Sequence, residues 1–191
     1  MRLLILISIS IIYLLLQGCF SAAVISSAAV VTRSVVDPRS IGRQVDDGSL
    51  EKRVSAAINK DKEIVYNTRI ITTAYAGKIL LTGQSSTLEL AERAKQIAIK
   101  SEGVYAVYNE IRKAASIDLA TVYKDTWITT KIKLQILIND LVKSSTVKVI
   151  TEDAEVFLLG ILTRQEGGIA AKIASETDGV KRVITAFNYR N

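Results

Sequence analysis

The feature that most constrains the fold of this 191-residue chain is an internal repeat. From Asp47 onward the sequence aligns with itself at a shift of about 77 residues. The matched positions are mainly apolar residues and glycines: Leu50, Val54, Ile58, Gly83 and Gly103 fall on Ile128, Ile132, Ile136, Gly160 and Gly179. The chain is therefore expected to fold as two copies of one small module, each with a small core of its own.

Both copies show the same order of elements. A first helix has apolar residues at four-residue spacing, and two β-rich runs follow, joined by tight turns at residues 76–77 and 153–154. Second helices are predicted near 87–101 and 164–176, and Gly103 and Gly179 follow them where a helix end favours positive φ. Last strands are predicted over 104–112 and 180–189. The predicted fold is α+β: two tandem αββαβ modules, each a three-stranded mixed sheet packed against two helices.

The N-terminus has the features of an export signal. Met1-Arg2 supplies a positive start, and the apolar run from Leu3 to Leu16 has the length of a signal-peptide core. Leu16-Gln17-Gly18-Cys19 resembles the lipobox of bacterial lipoproteins, in which cleavage before the cysteine is followed by lipidation. The alternative is an incidental thiol in an ordinary leader. We predict a signal peptide over 1–18 and lipid, typically including palmitate, on Cys19.

The remaining boundaries follow from the repeat. Residues 19–46 contain the only proline, Pro38, and show no clean periodicity, so we predict a lipidated N-terminus and tether there. The first module is predicted over 47–113, a linker over 114–123 and the second module over 124–191. By the lipobox resemblance, Phe20 rather than aspartate after the cysteine implies sorting to the outer membrane.

Two absences in the composition limit the chemistry. The chain has no histidine, which removes the commonest general base and metal ligand, and its single cysteine allows neither a disulfide framework nor a thiolate zinc site. Catalysis by paired carboxylates stays open in principle, but no local pattern favours it. We therefore expect a protein that is not an enzyme and has no metal or cofactor. The excess of basic residues, 25 against 19 acidic, forms no dense cluster with aromatic residues, so we expect no nucleic-acid partner.

The first helices of the two copies differ in one respect. In the second copy, the residues predicted to face the core are Ile128, Ile132, Gln135 and Ile136. Pointing away from them is a second apolar stripe flanked by Lys131 and Lys133, made of Trp127, Leu134, Leu137 and Ile138. The first copy has Ser49, Ala56, Asn59 and Lys60 in place of that stripe. A helix that is apolar on two sides must cover both, so the stripe packs either against the first module or against a membrane.

The paired αββαβ pattern, with a glycine closing the second strand of each hairpin and Gly-Val after the second helix, resembles the BON domain. The combination of lipobox, tether and two copies resembles the dual-BON outer-membrane lipoproteins of Gram-negative bacteria. That resemblance implies binding of anionic phospholipid, phosphatidylglycerol or cardiolipin, on the periplasmic side, with roles in envelope stress and cell division. It implies that the binding residues are Trp127, Lys131, Lys133, Leu134, Leu137 and Ile138. The alternative is a protein-interaction adaptor for the outer-membrane assembly machinery or for regulators of septal cell-wall hydrolases.

Overall fold

The computed structural model describes residues 41–190, apart from the side chains of Ile41, Arg43 and Val45. The first module contains α1 (Ile41–Ile58), α2 (Lys62–Asn67), β1 (Thr68–Tyr75), β2 (Lys78–Ser85), α3 (Leu88–Ile99) and β3 (Ala106–Lys113). The second contains α4 (Leu119–Leu137), a 3-10 turn (Ser144–Thr146), β4 (Val147–Glu152), β5 (Glu155–Leu162), α5 (Arg164–Ser175) and β6 (Arg182–Tyr189). The predicted signal peptide, the lipid site at Cys19 and the tether as far as residue 40 lie outside the described residues.

Each module forms a three-stranded mixed sheet, as predicted. In the first, β2 is central, antiparallel to β1 and parallel to β3, and β5 has the same place between β4 and β6. The first module also has the short helix α2, which was not predicted. It forms because the Asp61 carboxylate accepts hydrogen bonds from the N–H groups of Glu63 and Ile64, and because Ile64 is buried in the core.

The two hairpins turn through consecutive residues with positive φ, Ala76-Gly77 and Asp153-Ala154. Such turns match the right-handed twist of paired strands, but the positive φ is unfavourable for Ala76 and Ala154. In each module a buried aspartate in the second turn of the first helix stabilises the hairpin turn. The Asp47 carboxylate accepts hydrogen bonds from both N–H groups of its turn at 2.7 and 2.9 Å, and Asp125 does so at 2.7 and 2.8 Å.

Each central strand buries both of its faces. Ile79 and Leu81 of β2 pack with α1 and α3 in the first core, and Val156 and Leu158 of β5 pack with α4 and α5 in the second. The side chains between them point to the other face of each sheet, where they form a third cluster of Tyr75, Leu80, Phe157 and Leu159. The two sheets therefore pack face to face, with the helices outside.

Polar contacts join the modules at the edges of this cluster. Glu152 of β4 is buried and pairs with the Arg69 guanidinium, and its Oε1 also accepts a hydrogen bond from Gln84 Nε2 at 2.6 Å. Arg112 of β3 pairs with Glu155 of β5 at 2.8 Å. The two partners of each bond come from different modules. Because hydrogen bonds and ion pairs join particular atoms, whereas apolar contacts are not directional, these bonds fix how the two sheets align.

Two glycines in the central strands permit a close approach of the backbone. Gly83 has φ +115°, and a Cβ there would collide with the Arg69 carbonyl oxygen; at Gly160 a Cβ would lie 2.6 Å from the Thr146 carbonyl oxygen. Both residues lie inside strands that continue to Ser85 and Leu162, so the glycines do not mark a strand exit.

Both first helices begin before the predicted module boundaries. Helix α1 starts at Ile41, within the predicted tether, because nothing between Pro38 and Asp47 stops a helix, and extending a helix costs less than nucleating it. Helix α4 starts at Leu119, within the predicted linker, because the Asp118 side chain caps it by accepting a hydrogen bond from the Thr121 N–H. No helix in residues 41–190 is long and apolar enough to cross a membrane.

Candidate functional site

One face of helix α4 forms the wall of the second core. Ile128, Ile132 and Ile136 are buried there at four-residue spacing, as predicted. Gln135 was predicted to share this face, which is wrong. It is exposed at the edge of the face, and its Oε1 accepts a hydrogen bond from the Thr177 hydroxyl at the end of α5.

The opposite face of α4 carries a row of exposed apolar side chains. Trp127 is 64% exposed, Leu134 55%, Leu137 56% and Ile138 80%. They do not pack against the first module, whose contact with the second runs through the sheets instead, so that alternative is wrong.

The exposed row is longer than the sequence predicted. Leu119 and Tyr123 are 74% and 73% exposed, and they precede Trp127 at four-residue spacing on the same side of the helix. They were missed because both fell in the predicted linker; their spacing from Trp127 was the available signal. The α4 stripe is hereafter the set Leu119, Tyr123, Trp127, Leu134, Leu137 and Ile138. It runs along all 19 residues of α4, a length of about 28 Å.

Helix α1 is the internal control for this surface. Its core residues Leu50, Val54 and Ile58 are buried like their counterparts in α4. The positions that match Trp127, Leu134, Leu137 and Ile138 hold Ser49, Ala56, Asn59 and Lys60, all exposed. These four apolar side chains of the stripe are therefore not needed for the fold of a module.

Lysines flank the stripe on both sides. Lys124 and Lys133 are exposed on opposite flanks, and half-buried Lys131 lies on the same flank as Lys124. The Lys131 ammonium donates a hydrogen bond to the Asp178 carbonyl oxygen at 2.6 Å. At the start of the helix, hydrogen bonds from the Thr121 hydroxyl and N–H, with the charge of Lys124, lower the pKa of Asp118 and keep the cap ionised. The structure thus brings together every predicted binding residue on one exposed surface.

A cleft of about 350 Å³ adjoins the stripe on the Lys124 side. Trp127 forms part of its wall, with Lys124 and Lys131 beside it on α4 and Lys181 opposite at the start of β6. Within residues 41–190 no group of three or more aspartate, glutamate, cysteine or histidine side chains is placed to hold a metal ion. What the surface offers chemically is apolar contact bordered by ammonium groups.

Comparison with known proteins shows what the chain is similar to. The BON domain model matches residues 46–115 and again residues 124–191. Over 174 residues the chain is 42% identical to Outer membrane lipoprotein DolP of Haemophilus influenzae, covering 91% of this chain and 90% of that protein.

Two further relatives match over most of the chain. The 21 kDa hemolysin of Actinobacillus pleuropneumoniae is 47% identical over 154 residues, 81% of this chain and 79% of that protein. Osmotically-inducible protein Y of Escherichia coli is 32% identical over 146 residues, 75% of this chain and 72% of that protein. The repeat detected in the sequence is thus a pair of BON domains, and the chain belongs to the BON-domain family.

Proposed function

We propose that this protein is a non-catalytic outer-membrane lipoprotein, anchored through Cys19, whose second module binds anionic phospholipid through the α4 stripe. The observation that carries the proposal is the stripe itself: six large apolar side chains exposed along α4, four of which, from Trp127 to Ile138, are replaced by small or polar residues at the equivalent positions of the other module. The outer-membrane address is supported by the relative from Haemophilus influenzae, an outer membrane lipoprotein by name.

The arrangement of the stripe suits a membrane surface. Aromatic residues favour the boundary between headgroups and acyl chains, and Tyr123 and Trp127 occupy the first half of α4. Leu134, Leu137 and Ile138 occupy the last turns, where aliphatic side chains would reach the acyl region. Lysines flanking such a helix add roughly 1 kcal/mol each at an anionic bilayer.

A weak contact of this kind gains from a second attachment. Several acyl chains on Cys19 would hold the protein on one membrane, and the stripe would then meet lipid at a high effective concentration. The second contact depends on lipid composition, so it would enrich the protein where phosphatidylglycerol or cardiolipin is abundant, such as the division site.

The single tryptophan provides a direct test. Protein lacking residues 1–19 is titrated with phosphatidylglycerol micelles while Trp127 emission is recorded. We expect a blue shift and a rise in intensity that phosphatidylcholine micelles do not produce at the same concentration. If emission is indifferent to phosphatidylglycerol, the stripe does not bind lipid, and the adaptor alternative then becomes the better explanation of an exposed apolar helix.

A further inference from the structure

The same cleft occurs in both modules. In the second it lies between the first half of α4, the β4–β5 turn and the loop after α5; in the first, a cleft of about 410 Å³ lies between α1, the β1–β2 turn and the loop after α3. A basic residue spans each cleft in the same way. Arg53 donates to the Glu102 carbonyl oxygen at 2.6 Å, as Lys131 does to that of Asp178. The cleft is therefore a feature of the module, and its lining can be compared position by position.

Four positions of the lining change in charge or aromatic character between the first cleft and the second. Lys124 replaces Asp46, Trp127 replaces Ser49, Lys181 replaces Tyr105 and Asp153 replaces Ala76. Lys124 and Trp127 lie on the helix, and Lys181 lies opposite them. Asp153 offsets the charge of Lys181, so the gain in positive charge comes from Lys124, and Trp127 brings the cleft into contact with the α4 stripe.

Two of the three aspartates that line the second cleft have side-chain partners. The Asp125 carboxylate accepts two backbone hydrogen bonds from the β4–β5 turn, and Asp153 pairs with Lys181 at 3.0 Å. The third, Asp178, is exposed at the rim, so two lysines, Lys124 and Lys131, remain against one carboxylate. Lys131 donates to an uncharged carbonyl and retains two N–H donors, and Lys124 has no hydrogen bond or ion pair in the described part of the chain. Lys124, Trp127 and Lys131 follow each other at i, i+3 and i+7, so the ring lies between the two ammonium groups on one side of the helix.

From this geometry we infer that the cleft beside Trp127 is the headgroup site of the second module, taking the phosphodiester of an anionic lipid between Lys124 and Lys131. Its volume is near the lower limit for ligand pockets, which suits a headgroup but not a whole lipid. The acyl chains would leave past Trp127 onto the stripe. The inference rests on the proposed function. It adds that the second module recognises the phosphodiester group of the lipid, whereas surface charge alone would attract any anionic lipid.

The test uses the full-length protein reconstituted in vesicles, with Trp127 emission as the readout. One set of vesicles contains phosphatidylglycerol in phosphatidylcholine; the other contains oleate, at matched zeta potential, in place of phosphatidylglycerol. We expect the half-maximal response of the wild type at a roughly 10-fold lower concentration of phosphatidylglycerol vesicles than of oleate vesicles, as one charge-assisted hydrogen bond allows. Lys124→Gln should remove that preference.

Lys133→Gln is the matched control, because Lys133 is exposed on the other flank of the stripe, away from the cleft. It should weaken the response to both anionic lipids by the same factor, roughly 5-fold for one lysine at an anionic surface, and leave the preference unchanged. Arg53→Gln, in the cleft of the first module, should have no effect on either response.

The possible outcomes separate the two proposals. Equal responses to phosphatidylglycerol and oleate, or equal losses of preference in Lys124→Gln and Lys133→Gln, would overturn the headgroup site while lipid contact stands. No response to any anionic vesicle would remove the lipid function as well. If millimolar inorganic phosphate at constant ionic strength suppresses the preference while glycerophosphoglycerol does not, the cleft takes free phosphate and the lipid assignment is wrong.

Discussion

Replacing Leu137 by glutamate is the sharpest perturbation of the α4 stripe. The side chain is 56% exposed in the last turn of α4, so a bilayer would cover roughly half of its surface. Complete burial of a leucine is worth about 1.5–3 kcal/mol, so covering half of its surface is worth about 0.8–1.5 kcal/mol. A carboxylate facing an anionic surface costs roughly 1 kcal/mol more. We therefore expect Leu137→Glu to weaken phosphatidylglycerol binding roughly 50-fold.

The assay is the Trp127 titration, performed beside thermal denaturation. The matched control is Asn59→Glu, which places the same charge at the equivalent exposed position of α1. Both variants should melt close to the wild type, since exposed substitutions usually change stability by less than about 0.5 kcal/mol. If Leu137→Glu binds phosphatidylglycerol within two-fold of the wild type, or no worse than Asn59→Glu, then the stripe is not the contact surface.

Three further predictions concern stability. Thr82→Val should raise the melting temperature by about 2–4 °C, because the Thr82 hydroxyl is buried with no hydrogen-bond partner among the described residues and its removal is worth about 1 kcal/mol; an unchanged or lower value would show that the hydroxyl is satisfied. Gly168→Ala, where a Cβ would meet nothing within 4 Å, should stabilise α5 by roughly 1 kcal/mol, whereas Gly167→Ala should gain less or destabilise, since its Cβ would lie 3.1 Å from the Phe187 ring. Equal effects of the two alanines would show that the ring can move away. Burial raises the pKa of Glu166, but hydrogen bonds from Thr163 and Arg190 outweigh it and the net pKa is lowered. That stabilisation is present above the ordinary glutamate pKa of about 4.3 and is lost as the pH falls through the lowered value, so Glu166→Gln should flatten the dependence of melting temperature on acidic pH.

The elements of each module could be predicted because their signals are local. Thr87 and Thr163 cap the second helices within a residue of the predicted starts, and Gly103 and Gly179 adopt the positive φ expected after them. Helix boundaries near the linker were less accurate. The cap of α4 is Asp118, which precedes the predicted start of the module at residue 124, and no repeat partner marked it because the repeat was traced only from Asp47 onward.

The two aspartates that hold the turns show a signal that was present but not interpreted. Asp47 and Asp125 match in the repeat, yet the predicted module boundaries placed them near the start of a helix, where an aspartate is ordinarily explained as a cap or a dipole partner. Only the fold shows that each carboxylate reaches a turn about 29 residues away and binds its two N–H groups. That contact explains how Ala76 and Ala154 tolerate positive φ.

The sequence by itself determined the number of modules, their α+β order and the existence of a second apolar stripe on α4, because periodicity and repetition are properties of a linear chain. Which partner covers each apolar surface was decided by the tertiary structure. The runs Ile79-Leu80-Leu81 and Val156-Phe157-Leu158 are apolar on both faces of their strands. The helices cover one face of each sheet, and the packing of the two sheets against each other buries the other. Because that packing uses the sheets, the stripe from Leu119 to Ile138 remains exposed to solvent, beside the cleft that Trp127 shares with Lys124 and Lys131.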